Sequence, residues 1–188
     1  MCADPAGADL SVVGEVEALP VEIEPADFVP ADFVPADFVV PGPPTFVFGG
    51  VTMRLAPLGP AHCESDLAAW TTSIEHIRST PGFPWHGWPP ADGTFTVAEN
   101  LADMRMHAEH FFTRVGFTWT VLVDGEDASW RVVGCVYVYP DADPEYDAYV
   151  RTWVTGEYGA LDVQLREAVV DWLAREWPFR AGRYDSSD

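Results

Sequence analysis

The chain predicts an α/β fold of the mixed (α+β) kind: a mostly antiparallel sheet flanked by helices. Strand-period alternation recurs in three successive segments between Phe117 and Val154, so neighbouring strands are joined by short turns. Helix-period apolar stripes lie before and after those strands, which puts helices on the sheet faces. With 188 residues and 48% hydrophobic composition, there is material for one ordinary core.

The first 44 residues stand apart. Asp4, Asp9, Glu15, Glu17, Glu22, Glu24, Asp27, Asp32 and Asp37 lie there without a single arginine. Pro25-Ala26-Asp27-Phe28-Val29 recurs as 30–34 and again as 35–39. A period of five matches neither strand nor helix, and each proline removes a backbone donor. Residues 1–44 therefore read as an acidic, proline-rich, disordered tail, and 45–188 as the folded domain. The sharper alternative makes Phe28, Phe33 and Phe38 evenly spaced anchors for a groove on another protein or on this one.

Within the domain, 45–58 reads as a strand or hairpin, with Val51, Met53 and Leu55 alternating against Thr52 and Arg54. Pro60 marks a helix start, and 61–80 places Leu67, Trp70, Ile74 and Ile77 on one stripe before Pro81-Gly82 ends it. Thr96 and Glu99 form a capping signature for a helix whose buried face holds Leu101, Met104, Ala108 and Phe111 or Phe112. Arg114 to Gly116 close it. Strands follow over 117–123, 130–139 and 148–154, with Asp124-Gly125 and an acidic stretch from Asp141 to Asp147 as turns. Leu161, Leu165, Ala168, Val169, Trp172 and Leu173 give a last helix over 161–177. Pro178 halts it, and 179–184 adds a short edge strand.

Thirty acidic residues face ten basic ones, all arginine, for a formal charge of −20. Such a surface repels nucleic acid and anionic lipid and favours cationic partners. Cys2, Cys63 and Cys135 match no zinc spacing and suit a reducing compartment. No apolar run is long enough to span a bilayer, and no secretory leader pattern opens the chain, so a cytoplasmic location is expected.

Val132 to Val138, followed by Asp147 to Val154 and the helix at Leu161, resembles the GNAT superfamily of N-acetyltransferases over about residues 50–184. The resemblance implies acetyl-CoA as cofactor, lying where the central strand and its neighbour splay, with Val138 and Tyr139 amides as oxyanion donors. It places the pyrophosphate at a glycine-bearing loop, here Gly156, Gly159, Ala160 and Leu161. The basic residue usual in that loop is missing, and Glu157 and Asp162 put negative charge there. Against that family the fold is shortened at the C-terminus, where a further helix and strand are missing; a partner subunit, as in a homodimer, or the N-terminal segment would fill the gap, or the domain is a reduced version.

Acetyl transfer needs a deprotonated amine and a proton for the leaving thiolate. Tyr149, Asp147 and His86 are the candidate proton carriers, with Tyr184 a fallback acid. Phe83, Trp85 and Trp88 are candidate acceptor-pocket lining, suited to a small-molecule amine on an apolar body; otherwise they seal the first two helices. Asp103, His107 and His110 share a helix face but read as a solvated or half-buried face, and no metal is expected. Cys63 and Cys135 have no adjacent base to make them nucleophiles. The expected function is acetyl transfer to a small amine. The alternatives are a non-catalytic GNAT-like binding or assembly protein and an interaction protein acting through the repeated peptide.

Overall fold

The computed structural model describes residues 33–84, 87–125 and 129–184. Among these residues six strands form one sheet in which each lies beside its sequence neighbour. β1 (Thr45–Phe48) and β2 (Val51–Pro57) make a hairpin around Gly49 and Gly50, whose positive φ angles of 54° and 89° are what L side chains avoid. β3 (Phe117–Asp124), β4 (Trp130–Tyr139) and β5 (Ala148–Val154) continue antiparallel. β6 (Gly182–Tyr184) returns parallel to β5. A parallel return needs a crossover, and the last helix supplies it.

The stripe over 61–80 does not make one helix. A short 3-10 turn (Pro60–His62) leads into α1 (Cys63–Thr71), and α2 (Ile74–Ser79) follows after a break at Thr72 and Ser73. The Thr71 and Thr72 hydroxyls donate back to Leu67 and Ala68 carbonyls at 2.6 and 2.9 Å, a local competition that weakens helix continuation. α3 (Val97–Thr113) opens on the expected capping box of Thr96 and Glu99 and closes with Arg114 left-handed at φ 64°. α4 (Asp162–Glu176) is preceded by a 3-10 turn over Gly156–Leu161.

Pleating sends alternate side chains to opposite faces. One face packs Phe117, Trp119, Val136 and Val138 against Leu165, Val169 and Trp172 of α4. The other packs Cys135, Tyr137 and Trp153 against Trp70, Ile77 and Met104 of α1 to α3. Of the two phenylalanines offered for α3, Phe111 faces Phe117 and Trp119, while Phe112 is 87% exposed.

The packed chain begins ahead of the expected boundary at Thr45. Phe33 and Val34 are 9% and 5% exposed, and Phe33 sits 5.9 Å from Phe117 and 5.1 Å from Phe179 between ring centroids. Phe38 rests on Trp177 at 5.4 Å, and the Arg114 guanidinium donates to Pro35, Ala36 and Phe38 carbonyls at 3.1, 3.1 and 2.8 Å. Residues 33–44 thus form a strap on the α4 side of the sheet. Aromatic burial outweighs the low ordering cost of a proline-stiffened peptide. The expectation of disorder for 1–32, and the anchor Phe28, fall outside the described residues.

Candidate functional site

The sheet is open on the outer side of β5. β6 pairs only with Ala148, Tyr149 and Val150, so among the described residues Arg151 to Val154 have no strand beyond them. Beside that edge lies a cavity of about 230 Å³, walled by Arg151 and Thr152 of β5, His76 of α2, Pro81, and Gly159, Asp162 and Arg166 at the start of α4. Strand period and helix period cooperate here. Arg151 is brought in by β5, and Arg166 lies one turn beyond Asp162 on the same face of α4.

The expected parting between β4 and β5 is not there. Val138 pairs with Val150 and Tyr139 with Tyr149, and the ladder continues to Gly134 and Val154. The reason is connectivity: residues 140–147 join β4 to β5 as a short antiparallel turn, whereas β6 arrives from α4 and meets β5 over three residues. Val138 and Tyr139 therefore offer no cleft between these two strands.

The glycine loop is drawn tight against α2. The Gly156 amide donates to Ser73 Oγ at 3.1 Å, and a Cβ on Gly159 would lie 2.7 Å from the His76 ring. Asp162 accepts from the Val154 amide at 3.1 Å and meets His76 Nε2 at 2.6 Å. Burial raises the Asp162 carboxyl, against which His76 is the chief opposing influence. Gly159 lines the cavity, whereas Gly156, Ala160 and Leu161 belong to the turn beside it. Glu157, the other acid of the loop, turns outward onto Arg131 at 2.8 Å.

Among the candidate proton carriers, Asp147 serves the fold. Its carboxylate accepts from Arg180 and Ala181 amides at 2.6 and 3.1 Å and pairs with the Arg180 guanidinium. Burial pushes its carboxyl up, but these contacts prevail and hold it below the ordinary value. A second clamp joins Asp141 to Arg183 at 2.5 Å, so β6 is pinned to the β4–β5 turn. The Tyr149 ring lies between the Arg151 and Arg183 guanidiniums, at 5.6 and 4.5 Å. Tyr184 is half-buried at the end of β6, and burial pushes its hydroxyl up to about 12. His86 and Trp85 lie outside the described residues.

Phe83 is buried at 1% exposure and Trp88 is half-buried. Their rings pack with Trp70, Tyr137 and Trp153, and neither lines the cavity. The loop between α2 and α3 here seals the helices onto the sheet. Phe83 still touches the site indirectly, because the Arg151 guanidinium stands over Phe83, Tyr137 and Tyr149 rings at 5.4 to 5.6 Å.

A polar network lies under α3. His107 Nδ1 meets Tyr139 Oη at 2.7 Å and Thr118 Oγ1 at 3.2 Å, and His110 Nδ1 meets the same phenol at 3.1 Å. Of the solvated or half-buried face expected for Asp103, His107 and His110, the structure has the half-buried form, with the His107 side chain 13% exposed and that of Asp103 39% exposed. Burial, followed by repulsion from His110 and Arg151, lowers its ring to about 3. No group of three metal-ligating side chains converges among the described residues. No helix among them is long and apolar enough to cross a membrane.

Sequence reasoning passed over Arg151, Arg166 and His76. With only ten basic residues in the chain, the two arginines flanking the glycine loop were a usable signal. His76 carried none, because its meeting with Asp162 depends on how α2 docks.

No protein-family model and no curated protein matches the chain. Solved structures do. RimL, a ribosomal L7/L12 alpha-N-protein acetyltransferase, superposes with a TM-score of 0.50 over 73% of this chain and 70% of its own, at 11% identity. The ribosomal-protein-S5-alanine acetyltransferase of Vibrio fischeri gives 0.49 over 69% and 66%, at 16% identity. The microcin C7 self-immunity acetyltransferase MccE, solved with acetyl-CoA and AMP, gives 0.45 over 65% and 61%, at 11% identity. The chain spans less than two thirds of the length of the last two. Its fold is that of the GNAT acetyltransferases, as the RimL superposition shows.

Proposed function

We propose that this chain, built on the acetyltransferase fold, transfers an acetyl group from acetyl-CoA to a small-molecule amine. The observation that carries the reading is the open outer edge of β5 with its cavity between Arg151 and Arg166. An anionic carrier needs positive charge, and these two guanidiniums supply from β5 and α4 what the glycine loop lacks. Among the described residues Asp162 is the one carboxylate in the cavity wall, so that lining leans positive in a chain of net charge −20.

Acetyl-CoA would contribute an activated thioester, held by Arg151, Arg166 and the turn at Gly159. Thr155 donates inward to Val133 and Val154 donates outward to Asp162, so strand alternation turns the Thr152 amide outward as well. That amide is the donor we assign to a developing oxyanion, in place of those of Val138 and Tyr139. His76, oriented by the Asp162 carboxylate, is the group we assign to take the proton of the amine. Tyr149, one row along β5, remains the candidate to return a proton to the thiolate.

Calorimetric titration of the full chain with acetyl-CoA tests the first step. Binding is expected, with Arg151→Gln or Arg166→Gln each weakening it about tenfold, the scale of one lost charged hydrogen bond. Absence of both heat and thermal stabilisation at millimolar ligand would sink the reading. Release of free thiol with a panel of small amines then tests turnover, and His76→Gln is expected to lower the rate while leaving binding intact. Turnover confined to peptide N-termini would replace the small amine by a protein acceptor.

A further inference from the structure

The strap holds Phe33 and Val34 of the second pentapeptide and the whole of the third, in different surroundings. Val34 of the second copy is 5% exposed, whereas Val39 of the third is 82% exposed. The domain therefore presents two distinct seats. The first takes a phenylalanine between Phe117 and Phe179 and buries the valine that follows it. The second takes a phenylalanine on Trp177 and three carbonyls on Arg114. The second seat reads backbone carbonyls and one ring, and every copy of Pro-Ala-Asp-Phe-Val offers these identically.

We infer that these seats are a recognition site for any two consecutive copies, and that the first copy, Pro25 to Val29, is its alternative occupant. Sliding the strap by one repeat puts Phe28 and Val29 where Phe33 and Val34 sit. It also puts Phe33 where Phe38 sits, and presents the Pro30, Ala31 and Phe33 carbonyls to Arg114. Val34 then takes the exposed place of Val39. The displaced third copy lengthens the connection to β1 by one repeat, and closure entropy grows only logarithmically with length. What distinguishes the registers is Val40, which packs on the core in the observed one and would leave it on sliding. The observed register is thereby preferred, with the other within reach when the third copy is lost or engaged elsewhere.

The two registers assign unequal duties to identical residues. Phe33 fills a seat in both, whereas Phe28 and Phe38 substitute for each other. In the full chain, Phe28→Ala should leave the melting temperature unchanged, and Phe38→Ala should lower it by less than about 2 °C. The double variant, with no register that fills both seats, should lose about 5 °C or more, well beyond the sum of the singles. Hydrogen exchange gives an independent readout: the Val29 amide should gain protection in Phe38→Ala relative to the parent. A double variant no less stable than Phe38→Ala alone, with Val29 exchange unchanged, overturns the proposal. So does compensation that appears only as protein concentration rises and a dimer forms, because the occupant would then be a second chain.

Discussion

Asp66 is a carboxylate placed where charge is hard to hold. It accepts from Asn100 Nδ2 at 3.2 Å and Cys135 Sγ at 3.5 Å, and burial still raises it to about 6 against the pull of both bonds. In the unfolded chain it titrates near 3.8. Between roughly pH 4 and 6 the folded state keeps a proton that the unfolded state has released, so this contribution is present at low pH and is lost as pH rises through 6. His107 works in the opposite sense. Its folded value near 3 lies below the ordinary 6.5, so its contribution is present above about pH 6.5 and is lost as pH falls. Replacing Asp66 by Asn should therefore remove about 1 kcal/mol of the stability gained between pH 7 and pH 5, read by denaturant unfolding at each pH. An unchanged difference between the two pH values would refute this assignment.

Helix and strand boundaries were legible where the signal is local. Thr96 and Glu99 announce α3 from three residues apart, and both reciprocal hydrogen bonds form, at 2.6 Å to the Thr96 amide and 3.2 Å to the Glu99 amide. Thr96→Ala should cost about 1 kcal/mol, seen as a melting temperature lowered by about 2 to 4 °C. Thr96→Asp should recover most of it. The break between α1 and α2 was hidden because Trp70, Ile74 and Ile77 keep helical spacing across it, and only the threonine back-bonding at 71 and 72 interrupts the run. The site was half legible for a similar reason. Gly159 and Asp162 were located by the loop, but which side of β5 opens depends on the partner of each strand, a relation among Val138, Val150 and Tyr184 that no short window contains.

At the scale of the whole molecule, residues 33–44 meet the rest of the domain along a seam of aromatic rings. The strap lies on the same aromatic cluster that joins α4 to the sheet, where Trp119, Trp172 and Trp177 pack edge to face at 5.2 to 5.6 Å. Removing residues 1–24 spares the repeats and should leave the melting temperature unchanged. Removing 1–44 uncovers the places of Phe33, Val34 and Phe38 and should cost about 3 to 5 kcal/mol, or about 10 °C. The composition of residues 1–44, rich in proline and acid, pointed to a free tail. For residues 33–44 it misled, because Phe33 and Phe38 reveal their use only against Phe179 and Trp177, which lie at the far end of the chain.

Because the pentapeptides at 25–29, 30–34 and 35–39 are the same word, excision of any one of them yields one and the same shortened polypeptide. Replication slippage in the corresponding coding stretch would thus trim or add a unit without disturbing the two that lie against Trp177 and Phe179. The lineage is free to vary the count upward from two, and the first deletion it would feel is the one that leaves a single unit.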